Sequence, residues 1–316
     1  MLENPFDPRL FKPDAITQET RAFNDALALR LKGKPKWWEQ PADGTPRGRA
    51  MPAAPSSPRA KKRTADVRGR PPVALHLIAP DNPKGAYLHI HGGGLVRGSA
   101  DQQDAMLERI ANATGLACAS VEYRLAPAHC YPAAWEDCET AALWLAKNAK
   151  SEFGSDFLAI GGESAGATLA VPTLVRMRDR HGFTGFGAAN LSYGNFDTTM
   201  TPSQHWIGES GLLLQKVDIE HCTTAYAPDP STRRSADMSA LYANLKDLPP
   251  ALFTVGTIDP FLDDSLFLYT RWIAAGNEAE LAIYPGGIHG FTMFPYALAD
   301  EANGRIDAFL KAHIRS

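Results

Sequence analysis

The chain is poor in cysteine and has no long apolar stretch. Its 316 residues include four cysteines, Cys118, Cys130, Cys138 and Cys222, without the C-x-x-C spacing of many metal and redox sites. We therefore expect free thiols, a reducing compartment and a cytoplasmic location, with no bound metal. No apolar run approaches the roughly 18 residues that a membrane-spanning helix needs, so we also expect no membrane partner.

An excess of charge of either sign is also missing. The formal net charge is −3, and charged residues make up 21% of the chain. A molecule with this balance is not expected to bind nucleic acid. Residues 1–5 lack the charged start and apolar segment of a signal peptide, so none is expected. With 44% hydrophobic residues, the composition is typical of a globular protein with a large core.

Residues 32–70 depart from this balance. They contain eleven Lys or Arg against three acidic residues, together with six prolines and many small residues. One interpretation is a nucleic-acid or membrane patch around residues 61–63, which read Lys-Lys-Arg. The other is a solvated connection that precedes the first strand, and this composition favours it.

Apolar runs of strand length alternate with helical patterns from residue 73 onward. Strands are expected at 73–78, 87–90, 116–122, 157–160, 187–193, 251–255 and 281–284, and helices at 102–114, 133–150, 165–180 and 262–275, with a last helix that ends near 313. This alternation predicts an α/β fold with a mostly parallel, doubly wound sheet and helices on both faces. Residues 195–239 interrupt the alternation, and we expect an insertion there. Ligands bind at the carboxyl ends of parallel strands, so candidate site residues should follow strands.

The sequence G-E-S-A-G at residues 162–166 is the first candidate site that follows a predicted strand. It follows the apolar run 157–160 and precedes a helix-forming run, which predicts a strand, a sharp turn and a helix. Such a turn exposes the Oγ of Ser164 and aims the amides of the helix N-terminus at the same point. Ser164 is therefore a candidate nucleophile.

The sequence H-G-G-G at residues 91–94 follows another predicted strand. Three consecutive glycines leave their backbone amides unshielded by any Cβ, so these amides can approach a developing negative charge. A plain glycine turn between strand and helix is the alternative. His89 and His91 share one strand face, but no further ligand follows at useful spacing, and we expect no metal there.

Two further residues complete the pattern. Asp259 follows the apolar run 251–255, and His289 lies on a glycine-flanked loop after the last predicted strand. The chain order serine, aspartate, histidine is typical of one arrangement of the Ser-His-Asp triad. Asp263 and Asp264 are alternatives for the carboxylate that orients the histidine.

Over residues 72–316 the chain resembles the hormone-sensitive-lipase-like family of α/β-hydrolases, which are mostly bacterial carboxylesterases. Besides the two glycine motifs, the resemblance includes Y-R-L-A-P at 123–127, Y-P-A-A at 131–134, Asp137 and D-P-F-L-D at 259–263. It implies an α/β-hydrolase fold with a cap made from the N-terminus and the insertion. It also implies that the amides of Gly93, Gly94 and Ala165 form the oxyanion hole.

The resemblance and the motifs together predict a serine carboxylesterase. We expect it to hydrolyse short-chain acyl or aryl esters with Ser164, His289 and Asp259, using water and no cofactor. An amidase or lactonase with the same triad is an alternative. A non-catalytic small-molecule receptor on the same fold is another, which the presence of His289 disfavours.

The remaining expectations concern domains, the substrate pocket and oligomerisation. We expect residues 1–71 to form a cap segment and the basic connection, and 72–316 to form the catalytic domain with its cap insertion at 195–239. The sequence favours a substrate pocket lined by Trp37, Trp38, Phe196, His205, Trp206, Leu212, Leu213 and Leu214. The aromatic residues of the insertion could instead form an internal mini-core. A homodimer through a sheet edge at 281–284 is also a possibility.

Overall fold

The fold is built on one eight-stranded sheet in a computed structural model that describes residues 6–34, 36 and 56–314. The strands are β1 (Lys61–Ala65), β2 (Val73–Ile78), β3 (Ala86–Ile90), β4 (Ala117–Val121), β5 (Leu158–Glu163), β6 (Phe186–Ser192), β7 (Ala251–Gly256) and β8 (Ala279–Tyr284). Their order is β1-β2-β4-β3-β5-β6-β7-β8. Strands β3 to β8 run parallel, whereas β2 is antiparallel to both of its neighbours. The predicted mostly parallel sheet is confirmed.

The first strand lies inside the segment that the sequence predicts to be a solvated connection. Strand β1 pairs with β2 from Lys61 opposite Leu77 to Ala65 opposite Val73. Its first four side chains are exposed and its last is buried, and Arg63 pairs with Glu152 at 3.3 Å. Backbone pairing at a sheet edge does not require apolar side chains, and charged edge residues protect against edge-to-edge aggregation. The sheet therefore begins at Lys61 and not after residue 72.

Eight α-helices occur in the described ranges. They are α1 (Gln18–Leu31), α2 (Asp104–Thr114), α3 (Ala133–Phe153), α4 (Ala165–His181), α5 (Pro202–Ser210), α6 (Lys216–Tyr226), α7 (Leu262–Ala274) and α8 (Ala297–His313). Helices α2 and α8 pack together on one face of the sheet, and α3 and α4 pack together on the other. The central strands β3, β4 and β5 are buried along their whole length, as expected for a sheet covered on both faces.

The N-terminal helix lies against the loop that follows β8. The hydroxyl of Thr17 caps α1 by accepting a hydrogen bond from the amide of Thr20 at 3.1 Å. The ring of Phe23 stacks on Tyr296 with centroids 4.2 Å apart, and Asn24 Nδ2 donates to the Gly286 carbonyl at 3.0 Å. Helix α1 therefore braces the segment between β8 and α8.

The predicted insertion contains α5 and α6, which pack against each other. Lys36 Nζ donates to Gln215 Oε1 at 2.5 Å and pairs with Asp218 Oδ2 at 3.2 Å, at the start of α6. The N-terminal segment and the insertion are thus in direct contact.

None of the helices in the described part of the chain combines the length and apolarity that crossing a membrane requires.

Strand β8 forms the second edge of the sheet, and it contains residues 281–284, where the sequence predicts a possible dimer contact.

Candidate active site

Ser164 occupies the sharp turn between β5 and α4. Its backbone has φ of 55° and ψ of −121°, which is a strained conformation for a residue with a Cβ. A Cβ at Gly162 or at Gly166 would overlap the carbonyl oxygen of Ile90, so only glycine permits the close approach of this turn to the end of β3. The Ser164 amide donates to the Ser192 carbonyl at 2.9 Å and ties the turn to β6.

The structure brings Ser164, His289 and Asp259 together. Ser164 Oγ lies 2.8 Å from His289 Nε2. His289 Nδ1 lies 3.1 Å and 3.0 Å from the two carboxylate oxygens of Asp259. Asp259 is fully buried, and His289 is 9% exposed. A hydroxyl, an imidazole and a buried carboxylate connected in this way can move a proton away from the hydroxyl.

The two alternative carboxylates have other partners. Asp263 Oδ2 accepts a hydrogen bond from the amide of Ser203 at 2.8 Å. Asp264 accepts four, from the amides of Phe196 and Asp197, the hydroxyl of Thr201 and the side-chain amide of Gln204. Burial raises the pKa of Asp264 to about 7, and these four donors oppose that rise. Both residues fasten the insertion to α7, and neither contacts His289.

The glycine loop lies directly against the serine turn. A Cβ on Gly92 would be 3.4 Å from the Cβ of Ser164. Gly93 and Gly94 have φ of 124° and 64°, which favour glycine. Within the described ranges, the amides of Gly93, Gly94 and Ala165 donate no hydrogen bond to a protein acceptor. Three unpaired donors beside a serine hydroxyl can stabilise negative charge on a bound oxygen atom.

A buried polar network supports this loop from below. Glu163 Oε1 accepts from the Gly92 amide at 3.3 Å, and its Oε2 lies 3.0 Å from His89 Nε2. His89 Nδ1 lies 2.9 Å from the hydroxyl of Ser120. Glu163 thus links the glycine loop to His89 of β3. The sequence carries no signal for Ser120, because its role depends on the pairing of β4 with β3.

His91, which directly precedes Gly92, also supports the glycine loop. Its ring stacks on Tyr123 at a centroid distance of 4.1 Å, and the Tyr123 hydroxyl donates to the His91 carbonyl at 2.8 Å. Burial lowers the pKa of His91 to about 4, so its ring is neutral at neutral pH. Among the described residues, no group of three His, Cys, Asp or Glu side chains could hold a metal ion.

The predicted pocket residues are scattered. Phe196 is fully buried and packs against Phe253 of β7 with ring centroids 6.3 Å apart, so it belongs to the main core and not to a mini-core within the insertion. Trp206 is 78% exposed, and the neighbouring His205 is exposed as well. Leu213 reaches the histidine loop, since its Cδ2 would lie 3.7 Å from a Cβ on Gly290. Its neighbours Leu212 and Leu214 are partly buried, and Trp37 and Trp38 lie outside the described residues.

Two further features of the N-terminal helix and the insertion lie near the predicted pocket residues. The thiol of Cys222 on α6 packs on the glycine loop, since a Cβ on Gly94 would lie 2.6 Å from its Sγ. A cavity of about 340 Å³ separates α1 from the α5–α6 connection, and it is lined by Ala28, Leu29, Leu31, Lys32, Ser210, Gly211, Leu212 and Gln215. No triad residue lines this cavity. The contact of Cys222 is a feature that the spacing of cysteines along the sequence could not indicate.

The conformation of the glycine loop predicts a sharp difference between two Gly→Ala variants. Gly93→Ala places a Cβ on the Arg97 carbonyl oxygen at a positive φ, so we expect a loss of more than about 1 kcal/mol in the free energy of unfolding. Gly304→Ala, at an exposed helical position with open space around it, should raise stability by about 0.5–1 kcal/mol. Urea unfolding of both variants measures the difference, and equal stabilities would contradict the described loop.

Comparison with known proteins gives consistent results. The family model of the alpha/beta hydrolase fold matches residues 87–293. The acetyl esterase of Salmonella schwarzengrund is 29% identical over 237 residues, which cover 73% of this chain and 73% of that protein.

Solved structures extend the similarity to nearly the whole chain. The hyperthermophilic esterase from the archaeon Pyrobaculum calidifontis is 28% identical with a TM-score of 0.80, covering 94% of this chain and 98% of that one. The esterase EstE5, soaked with p-nitrophenyl butyrate, is 27% identical with a TM-score of 0.76, covering 95% and 100%. These findings confirm the predicted resemblance to bacterial carboxylesterases and agree with the predicted enzyme class, a carboxylic-ester hydrolase. The chain belongs to the α/β-hydrolase fold family.

Proposed function

We propose that the protein is a serine carboxylesterase that hydrolyses short-chain acyl or aryl esters through an acyl-enzyme. The observation that carries the proposal is the relay from Ser164 Oγ to His289 Nε2 at 2.8 Å and from His289 Nδ1 to Asp259 at 3.0 Å. The carboxylate of Asp259 is also fixed by the amide of Phe261 at 2.8 Å, so it holds one imidazole tautomer in place.

In the acylation step, Ser164 Oγ attacks the ester carbonyl while His289 Nε2 takes the hydroxyl proton. The new negative charge falls on the former carbonyl oxygen, and the amides of Gly93, Gly94 and Ala165 stabilise it. One donor of this kind is worth roughly 2.7–4 kcal/mol in a comparable site. When the tetrahedral intermediate collapses, His289 passes its proton to the departing alcohol, which leaves Ser164 acylated.

In the deacylation step, water replaces the alcohol. His289 Nε2 accepts a proton from water as the water oxygen attacks the acyl carbonyl, and the same amides stabilise the second oxyanion. Collapse of this intermediate breaks the bond to Ser164 Oγ, which recovers its proton from His289. The carboxylic acid is released and the enzyme returns to its starting state.

Two relatives support a short acyl chain. The Salmonella protein is named an acetyl esterase, and EstE5 was soaked with a butyrate ester. The same triad and backbone amides also fit the hydrolysis of carboxamides and lactones, so the preference for esters is part of the proposal. We also propose the cytoplasm as its location, which the four free thiols support, and a homodimer through the outer edge of β8.

The proposed nucleophile predicts a large effect of Ser164→Ala. Removing the hydroxyl should lower turnover of p-nitrophenyl acetate by at least roughly 10³-fold, because the covalent route is lost while the unpaired amides remain. Steady-state kinetics on purified protein, with circular dichroism to establish folding, measures the effect.

A matched control is Ser192→Ala, on the neighbouring strand β6. Its hydroxyl is buried and lies 3.4 Å from Asn190 Oδ1, so the variant tests loss of a buried hydroxyl without loss of the nucleophile. It should keep turnover within about tenfold of the wild type. Folded Ser164→Ala protein with near-wild-type hydrolysis would refute the proposed mechanism.

The proposed substrate class predicts a maximum of kcat/KM at short chain length. A series of p-nitrophenyl esters from acetyl to palmitoyl should show the highest values for acetyl to butyryl, with a decline toward palmitoyl. Matched anilides should react far more slowly than the esters, because an amine leaving group needs protonation as it departs. A maximum at palmitoyl, or anilides that react as fast as esters, would reject the substrate class and leave the triad intact.

A further inference from the structure

Two aromatic rings contact the imidazole of His289. Tyr193 directly follows β6, and Phe261 directly precedes α7. The centroid of each aromatic ring lies 5.2 Å from the centroid of the imidazole ring. The interplanar angles are 71° and 85°, so both contacts are edge to face. Tyr193 is fully buried and Phe261 is 5% exposed. We call Tyr193 and Phe261 the aromatic pair.

The aromatic pair is itself firmly held. The Tyr193 hydroxyl lies 2.5 Å from Thr292 Oγ1, on the segment that follows His289, and its amide donates to the Thr254 carbonyl at 2.8 Å. The Phe261 amide donates to Asp259, so the same residue contacts both the carboxylate and the imidazole of the relay. These contacts fix the backbone of both residues and the hydroxyl end of the Tyr193 ring.

The hydrogen bonds of His289 change during the proposed reaction, and this inference depends on that reaction. In the free enzyme Nδ1 is bonded to Asp259 and Nε2 to Ser164. Once Ser164 is acylated, its Oγ is an ester oxygen without a proton, and the hydrogen bond from hydroxyl to Nε2 no longer exists. Among the residues that the structure describes, the Asp259 hydrogen bond and the aromatic pair then hold the imidazole, which must still present Nε2 to the incoming water.

We infer that Tyr193 and Phe261 are positioning residues that hold His289 in place for deacylation. During acylation the Ser164 hydroxyl helps to align the imidazole, so the aromatic pair matters less. During deacylation the carboxylate of Asp259 still bonds Nδ1, and the aromatic pair further restricts rotation of the ring about its χ angles. Proton transfer from water requires Nε2 within hydrogen-bonding distance, and a misplaced base slows it strongly.

The test uses Tyr193→Leu and Phe261→Leu with p-nitrophenyl acetate. If deacylation alone slows, kcat and KM fall together, because kcat/KM reports acylation and kcat reports the slower step. We expect kcat to fall at least about tenfold and kcat/KM less than about threefold. Rapid mixing should show a burst of p-nitrophenol followed by a slow steady state. Acid-quenched protein should carry more acetyl on the peptide that contains Ser164 than the wild type does.

Two matched controls separate positioning from loss of packing. Tyr193→Phe retains the ring and loses only the hydroxyl contact with Thr292, so it should restore most of the deacylation rate. Phe291→Leu removes a fully buried ring that packs on Tyr193 and Tyr284, and among the described ring pairs it is not a partner of the His289 imidazole. It should cost stability without accumulation of acyl-enzyme. Active-site titration of each variant corrects the rates for any unfolded fraction.

The outcomes are distinguishable. Equal losses in kcat and kcat/KM without additional acyl-enzyme, in both Leu variants, would overturn the inference, as would the same acyl-enzyme accumulation in Phe291→Leu. If Tyr193→Leu fails to fold, Phe261→Leu, at the residue that directly precedes α7, still decides the matter. Near-wild-type hydrolysis by the folded Ser164→Ala protein would instead reject the acyl-enzyme route itself.

Discussion

The contact between two backbones at Gly162, Gly166 and Ile90 is the constraint on which the site depends. Because neither glycine has a Cβ, the serine turn can lie on the carbonyl of Ile90, one residue before the glycine loop. The candidate nucleophile and the candidate oxyanion donors are therefore set relative to each other by packing of main chain on main chain. Side-chain motion cannot change the distance between these two backbones, and the position of His289 is set by separate contacts with Asp259, Tyr193 and Phe261.

The motifs around the strand ends could be predicted because local sequence determines them. Ser164 and His289 each follow an apolar strand run and are flanked by glycine, and parallel strands bring such positions to one edge of the sheet. Strand β1 was missed because pairing with β2 sets its conformation while its side chains are mostly basic and exposed. The place of Phe196 in the main core could not be predicted, because it depends on Phe253, more than fifty residues later in the chain.

The carboxylates of residues 259–264 show how similar neighbours acquire different tasks. Asp259 ends a strand segment and points to the imidazole, whereas Asp263 and Asp264 lie in the first turn of α7 and accept hydrogen bonds from the insertion. The sequence left the choice among these three carboxylates open, since all three residues are aspartates. The partners that distinguish them come from the insertion and from the loop after β8, and only the folded chain brings these together.

Helix α1 has a practical consequence for anyone who wishes to shorten the protein. Its Phe23 and Asn24 rest on Tyr296 and Gly286, which bound the loop of His289 on both sides. A truncation that starts after residue 55 would keep all eight described strands and the candidate residues Ser164, His289 and Asp259, yet it would remove the contacts of α1 with that loop. The N-terminal extension is thus an integral part of the catalytic scaffold, and it should be retained in any minimised or fused version of the enzyme.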